Sequence, residues 1–278
     1  DYIPKPFEIE ELLARMRAIL RRITFTNSTP SVLKNRDLEM VPGSMKVTLK
    51  GEVLNLSKTE FLMLKLFMEK INTVLSRDEL IDKIVMLEWE AFDKVVNEGG
   101  RASCQDDFYT FDIMRKSQYM DWPDELLESY IADFEAANSR GWNLITEKYG
   151  RMEKSTAPGE YAKIEASLPV HTEKQDAIIE QIVAIQVSMM EEMATRYPNM
   201  AGNARSVHTY EDTEWNTSYE TYLRGELGTY SEHTLLLYGR YVAMNAANGE
   251  NIAYRIMSNT ARLYGYNSVD ECEEKLKK

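Results

Sequence analysis

The sequence predicts a mainly α-helical protein: a large helical C-terminal domain, preceded by a small α+β module and an N-terminal amphipathic helix. Three observations carry this. Apolar residues at helical spacing and capping-box pairs recur from residue 76 onward, where no strand alternation or internal repeat stands out. Short alternating segments separated by Pro42-Gly43 and Lys50-Gly51 are confined to residues 36–56. Charge divides the chain in the same region: residues 1–85 hold 14 Lys/Arg against 12 Asp/Glu, and residues 86–278 hold 19 against 33. That acidity argues against nucleic acid on the back part, because phosphate neutralisation needs clustered Lys/Arg.

Residues 1–22 open on Asp-Tyr-Ile without a Met, as expected of a piece of a longer protein. Pro6 suits the first position of a helix whose stripe is Ile9, Leu12, Leu13, Met16, Ile19 and Leu20, amphipathic and in need of a partner, another protein or a second copy. Residues 23–35 read as a Thr/Ser/Asn-rich linker. In residues 36–75, Leu38/Met40, Val47/Leu49 and Val53/Leu54/Leu56 mark three short antiparallel strands, and Ser57 with Glu60 starts a helix containing Phe61, Leu64, Leu66 and Phe67.

Residues 76–278 form the helical domain. Ser76 and Glu79 cap a first helix over 77–96, with Leu80, Ile81, Ile84, Leu87, Phe92 and Val95 on its buried stripe and Gly99-Gly100 as its stop. Further helices are expected near 106–119, 123–139, 141–154, 158–166, 173–197, 217–228, 231–248, 250–264 and 268–277. Thr172/Gln175, Thr217/Glu220 and Ser268/Glu271 are their capping boxes. The span 173–197 is the expected core helix, with Ile178, Ile182, Ile185, Met189 and Met193 in one stripe and the methionines as packing.

The wording of the front segments adds a resemblance. "D-Y-I-x-K-P-F-x-x-x-E-L-x-A-R-M-R-A-x-L-R-R" resembles the last strand and helix of a response-regulator receiver domain. That implies a phosphoryl-site role for Lys5 and a cis bond before Pro6; the phosphorylated aspartate of that family lies in no residue present. "V-x-L-K-G-E-V-L-N-L-S-K-T-E-F-x-x-L-x-L-F … V-L-S-R-D-E-L-I-D-K-I" resembles the start of an OmpR/PhoB-type winged-helix DNA-binding domain over residues 36–85. The family's recognition helix and wing do not follow Ile84, which leaves specific DNA binding doubtful. Behind it, "E-W-E-x-F-x-x-V-x-N-E-G-G-R-A-S-C-Q-D-D", "M-R-K-S-Q", "G-W-N-L-x-x-E-K-Y-x-R-M-x-x-S-T-A-P", "A-G-N-x-R" and "T-S-x-E-T-Y-L-R-G-E-L-x-T-Y-S" resemble a bacterial family called domain of unknown function 4125. This implies an α-helical domain and supplies no activity. Together these resemblances imply a two-component response-regulator derivative whose DNA-reading end is replaced by that domain.

Two loops carry residues that packing does not require. The first offers Glu98, Arg101, Cys104, Gln105 and Asp106; the second, with the helix after it, offers Asn203, Arg205, His208, Asp212, Glu220, Arg224 and Glu226. Arg101, Arg205 and Arg224 suit a phosphate or carboxylate, because their forked donors match such groups. Gln105, Asp106, Asn203, Asp212 and Glu226 complete the expected ligand set. Glu98 and Glu220 are candidates for acid–base work, and Cys104 with His208 for a thiol nucleophile and its base. The same residues equally suit an internal salt-bridge network, so whether the domain is an enzyme stays open. His171, His208 and His233 lack metal-ligand spacing, and no metal or cofactor is expected. No apolar run approaches the roughly 20 residues of a membrane span. Cys104 and Cys272 read as reduced thiols, with the cytoplasm as the expected location and no membrane partner.

Overall fold

The computed structural model describes residues 32–35, 37–69, 75–96 and 100–277. The expected receiver-like helix, Lys5, Pro6 and Glu98 lie outside the described residues. The chain divides into two compact units, Asp1–Val74 and Leu75–Lys278.

In the front unit, strands β1 (Leu33–Asn35), β2 (Leu38–Val41), β3 (Lys46–Leu49) and β4 (Glu52–Leu54) form an antiparallel sheet in chain order. Its register aligns Leu33 with Met40, Met40 with Val47 and Val47 with Leu54. That row packs on helix α1 (Lys58–Glu69) through Phe61 and Met68. β3 and β4 are joined by Lys50 (φ 53°) and Gly51 (φ 87°), two left-handed residues whose twist matches that of the strands. The sheet corrects the expected linker: residues 33–35 are a fourth strand, because Leu33 completes the apolar row.

The back unit is helical. Its elements are α2 (Arg77–Asp93), α3 (Phe108–Tyr119), α4 (Asp124–Ser139), α5 (Leu144–Thr156), α6 (Pro158–Ile164), α7 (Glu173–Arg196), α8 (Pro198–Gly202), α9 (Tyr219–Leu227), α10 (Glu232–Ala247), α11 (Ile252–Leu263) and α12 (Val269–Lys275). α2 packs on α3, α4 and α5, and α7 packs on α9, α10 and α11. α9 lies against both α5 and α7 and joins the two groups. No described helix is long and apolar enough to cross a membrane.

The caps explain most starts. Ser76 and Glu79 bond reciprocally at α2, as do Thr172 and Gln175 at α7. Asp107, Asn143, Ser231 and Asn251 each accept a backbone N–H at the starts of α3, α5, α10 and α11. Two expectations are corrected. α2 stops at Asp93 rather than continuing to 96, because Gln105 Nε2 donates to the carbonyls of Phe92 (2.9 Å) and Val95 (3.0 Å) and takes over acceptors a longer helix would use. α9 is capped by Ser218, which accepts from the Thr221 N–H, and not by Thr217; Glu220 instead accepts from the Thr209 N–H at 2.9 Å.

Candidate functional site

α9 places charged side chains on two sides. Towards the core, Glu226 enters a cluster with Glu88 of α2, Arg115 of α3 and Lys148 of α5, all four buried. Arg115 Nε donates to Glu88 Oε2 at 2.6 Å, its Nη2 donates to Glu88 Oε1 and to Tyr119, and its Nη1 lies 3.2 Å from Glu226 Oε2. Lys148 donates to the same Glu226 oxygen at 2.5 Å. Tyr119 (2.7 Å) and Tyr130 (3.0 Å) donate to Glu88, and Tyr230 (3.3 Å) donates to Glu226. Two carboxylates face two cations, so the charge balances, and no buried side-chain polar atom among the described residues lacks a partner. Burial alone would raise the Glu226 carboxyl, but the charges of Arg115 and Lys148 outweigh it and hold the group down to about 2. Burial pushes the phenols of Tyr119, Tyr130 and Tyr230 well up.

Gly225 lets α9 approach α5 this closely. A Cβ there would stand 2.7 Å from Met152 Cγ and 3.0 Å from the Lys148 carbonyl oxygen. Lys148 Nζ also sits 3.6 Å from the centroid of the Tyr222 ring, and the Arg205 guanidinium lies 4.9 Å from it.

Towards solvent, α9 forms the floor of a pocket of about 530 Å³. Arg151, Lys154 and Ser155 of α5 line one wall, and Asp176, Ile179 and Glu180 of α7 another; Tyr161, His171, Thr209, Thr221 and Arg224 complete it. Arg224 is held bidentately by Glu180 (2.8 and 3.0 Å), bonds Glu220 at 2.9 Å, and donates to Thr209 at 3.2 Å. These contacts, Glu180 first, raise its already high affinity for a proton. Arg151 donates to Glu147 (2.9 and 2.7 Å) and to the Pro169 carbonyl (2.7 Å), leaving both Nη1 hydrogens without a partner among the described residues. Lys154 has no hydrogen bond or ion pair among the described residues. His171 is fixed between Asp176 (3.0 Å) and the Gly228 carbonyl (2.8 Å), so neither ring nitrogen is free to take a proton from a nucleophile.

The structure brings together part of the expected set. Glu220, Arg224 and Asp212 meet beside the pocket: Asp212 accepts from Thr221 Oγ1 (2.5 Å) and the Ser218 N–H (2.6 Å). Burial would raise the Asp212 carboxyl, and donation from Ser155, Thr221 and Ser218 more than offsets it. Glu226 belongs to the charged core instead. Arg101 ties the corner between α2 and α3 by bonding Asp93 (2.6 Å), Asp106 (2.8 Å) and the Gln105 carbonyl (2.7 Å), and no contact joins it to Arg205 or Arg224. Arg101 thus spends its donors within its own loop. Arg205 reaches the Thr217 carbonyl (3.3 Å), and Asn203 bonds the Asn199 carbonyl (2.8 Å) at the end of α8. His208 pairs with Glu191 (3.1 Å) and stacks on Tyr210, without a contact to the exposed Cys104. Among the described residues no group of three His, Cys, Asp or Glu side chains could hold a metal.

Sequence reasoning missed Glu88, Arg115 and Lys148 in the core, and Arg151, Lys154, His171, Asp176 and Glu180 in the pocket. A signal for the core existed. Glu88 follows Ile84 by four residues, and Lys148 stands between Leu144 and Met152, so charges occupy positions of the apolar stripes.

The family described as "Protein of unknown function (DUF4125)" matches residues 78–274, and "Transcriptional regulatory protein, C terminal" matches residues 51–98. α2 falls almost wholly inside both spans. A probable transcriptional regulatory protein of Picosynechococcus sp. is 45% identical over 86 residues, covering 30% of this chain and 34% of that protein. The alkaline phosphatase synthesis transcriptional regulatory protein SphR of Synechococcus elongatus is 40% identical over 98 residues, covering 35% and 38%. The response regulator ArlR of Staphylococcus saprophyticus is 40% identical over 97 residues, covering 35% and 42%. The chain thus spans little more than a third of the length of these curated relatives. No solved structure gives a significant match. The front of the chain is regulator-derived, and by the match over most of its length the chain belongs to the DUF4125 family.

Proposed function

We propose that this regulator-derived chain is a signalling protein in which the helical domain stands where a DNA-reading helix and wing would follow, and binds a small ligand carrying a carboxylate or phosphate. One observation carries the reading. In the pocket among α5, α7 and α9, the cation Lys154 and the Nη1 donors of Arg151 have no protein partner among the described residues, while the neighbouring Arg224 is locked by Glu180 and Glu220. Arg151 is held in place by Glu147 and the Pro169 carbonyl with Nη1 left open, and the open Lys154 charge stands beside it, a pairing that favours an anionic group. The volume of about 530 Å³ suits a metabolite. The His171–Asp176 pair does not favour an acyl-transfer enzyme, since the second ring nitrogen is spent on the Gly228 carbonyl.

The test is thermal-shift screening of the full chain against phosphorylated metabolites, carboxylates and amino acids, repeated on Lys154→Glu. A ligand at one hundred times its Kd stabilises by about 2.7 kcal/mol. The reading expects at least one compound to raise the melting temperature of the native chain and not of the variant. Equal shifts in both proteins would refute it.

A further inference from the structure

The pocket is bipolar. Arg151 and Lys154 stand three residues apart on α5, and Asp176 and Glu180 four apart on α7, so each pair shares one face of its helix. One wall is basic and another acidic. The open groups follow the same division. Lys154 and Arg151 Nη1 are unused donors among the described residues; on the other wall Asp176 bonds His171 through Oδ1, and Oδ2 has no partner among the described residues. Glu180 spends one bond per oxygen on Arg224 and keeps acceptor capacity on both.

The local charge also limits the ligand. Arg151, Lys154 and Arg224 are opposed by Asp176 and Glu180 in the lining and by Glu147 and Glu220, which bond the two arginines. Three cations against four carboxylates leave no positive excess, and a protonated His171 would only bring the sum to zero. A dianion or polyanion would meet a site that does not attract it as a whole. A molecule with one anionic and one cationic end would satisfy both walls.

We infer that the pocket takes a zwitterion of the amino-acid class, its carboxylate at Lys154 and Arg151 and its ammonium at Asp176 and Glu180. This rests on the ligand-binding reading above and narrows it. Isothermal titration of the full chain would compare the common L-amino acids, their des-amino counterparts (the same acids with hydrogen in place of the ammonium) and inorganic phosphate. At least one amino acid is expected to bind, with its des-amino counterpart at least about tenfold weaker, as for a lost charged hydrogen bond. Asp176→Asn should remove that difference, and Lys154→Met should weaken both compounds. Both side chains are exposed, and unchanged tryptophan emission would verify the fold of each variant. Binding of phosphate or a des-amino acid as tight as that of any amino acid, and weakened by Lys154→Met, would overturn the zwitterion and leave the pocket standing. Absence of binding by every probe, or binding indifferent to Lys154→Met, would overturn both.

Discussion

Replacing Arg115 with Met tests the charged core. The guanidinium lies between two buried carboxylates and gives Glu88 its only cationic partner among the described residues. Without it Glu88 keeps two phenol donors, Tyr119 and Tyr130, and Glu226 keeps Lys148 and Tyr230. The cluster passes from two charges of each sign to two negative and one positive, in a place largely closed to water. Breaking a buried pair on one side costs roughly 3–5 kcal/mol, mostly through the charge left behind. All four tryptophans, Trp89, Trp122, Trp142 and Trp215, lie in Leu75–Lys278, so tryptophan fluorescence in urea follows this unit alone. With a typical slope of about 2–3 kcal/mol per molar, the midpoint should fall by about 1–2 M. Glu88→Gln added to Arg115→Met restores neutrality and should recover more than about 1 kcal/mol. A loss below about 1 kcal/mol for the single variant, or a double variant no more stable than the single one, would refute the reasoning.

Acid should act through the same cluster. Glu226 is held at about 2 against an ordinary 4.5, so its contribution is complete above about 4.5 and is lost as pH falls towards 2. Urea midpoints should therefore fall across that window, less steeply in Glu226→Gln, and equal slopes would contradict the assignment. Gly225→Ala should destabilise by about 1–3 kcal/mol despite its helix-propensity gain, because the Lys148 carbonyl at 3.0 Å is backbone and moves only with α5. Gly239→Ala in α10 is the control: its Cβ would meet Ile182 Cδ1 at an ordinary 3.4 Å, so it should be neutral or stabilising by up to about 1 kcal/mol.

Much of the helical domain was legible because its punctuation is local. Ser76, Glu79, Thr172 and Gln175 declare helix starts within four residues, and the structure uses them as read. β1 was not legible, since three residues next to a Thr/Ser-rich stretch show no alternation until Leu33 is aligned with Met40. The end of α2 depended on Gln105, ten or more residues downstream. Within the site, the Glu220–Arg224 pair followed from its i,i+4 spacing, whereas Glu180 comes from another helix and no local pattern points to it. Arg101 shows the complementary case. Its residue type suits a ligand, but Asp93 and Asp106 reach it first. The charged core was hidden by the habit of reading apolar stripes through their charged members.

The most direct measurement of the central claim is a crystal structure of the full chain with a compound that raises its melting temperature. The account predicts that compound among α5, α7 and α9, with its anionic end within hydrogen-bond distance of Lys154 Nζ or Arg151 Nη1. The ligand seated elsewhere, with Lys154 untouched, would contradict it.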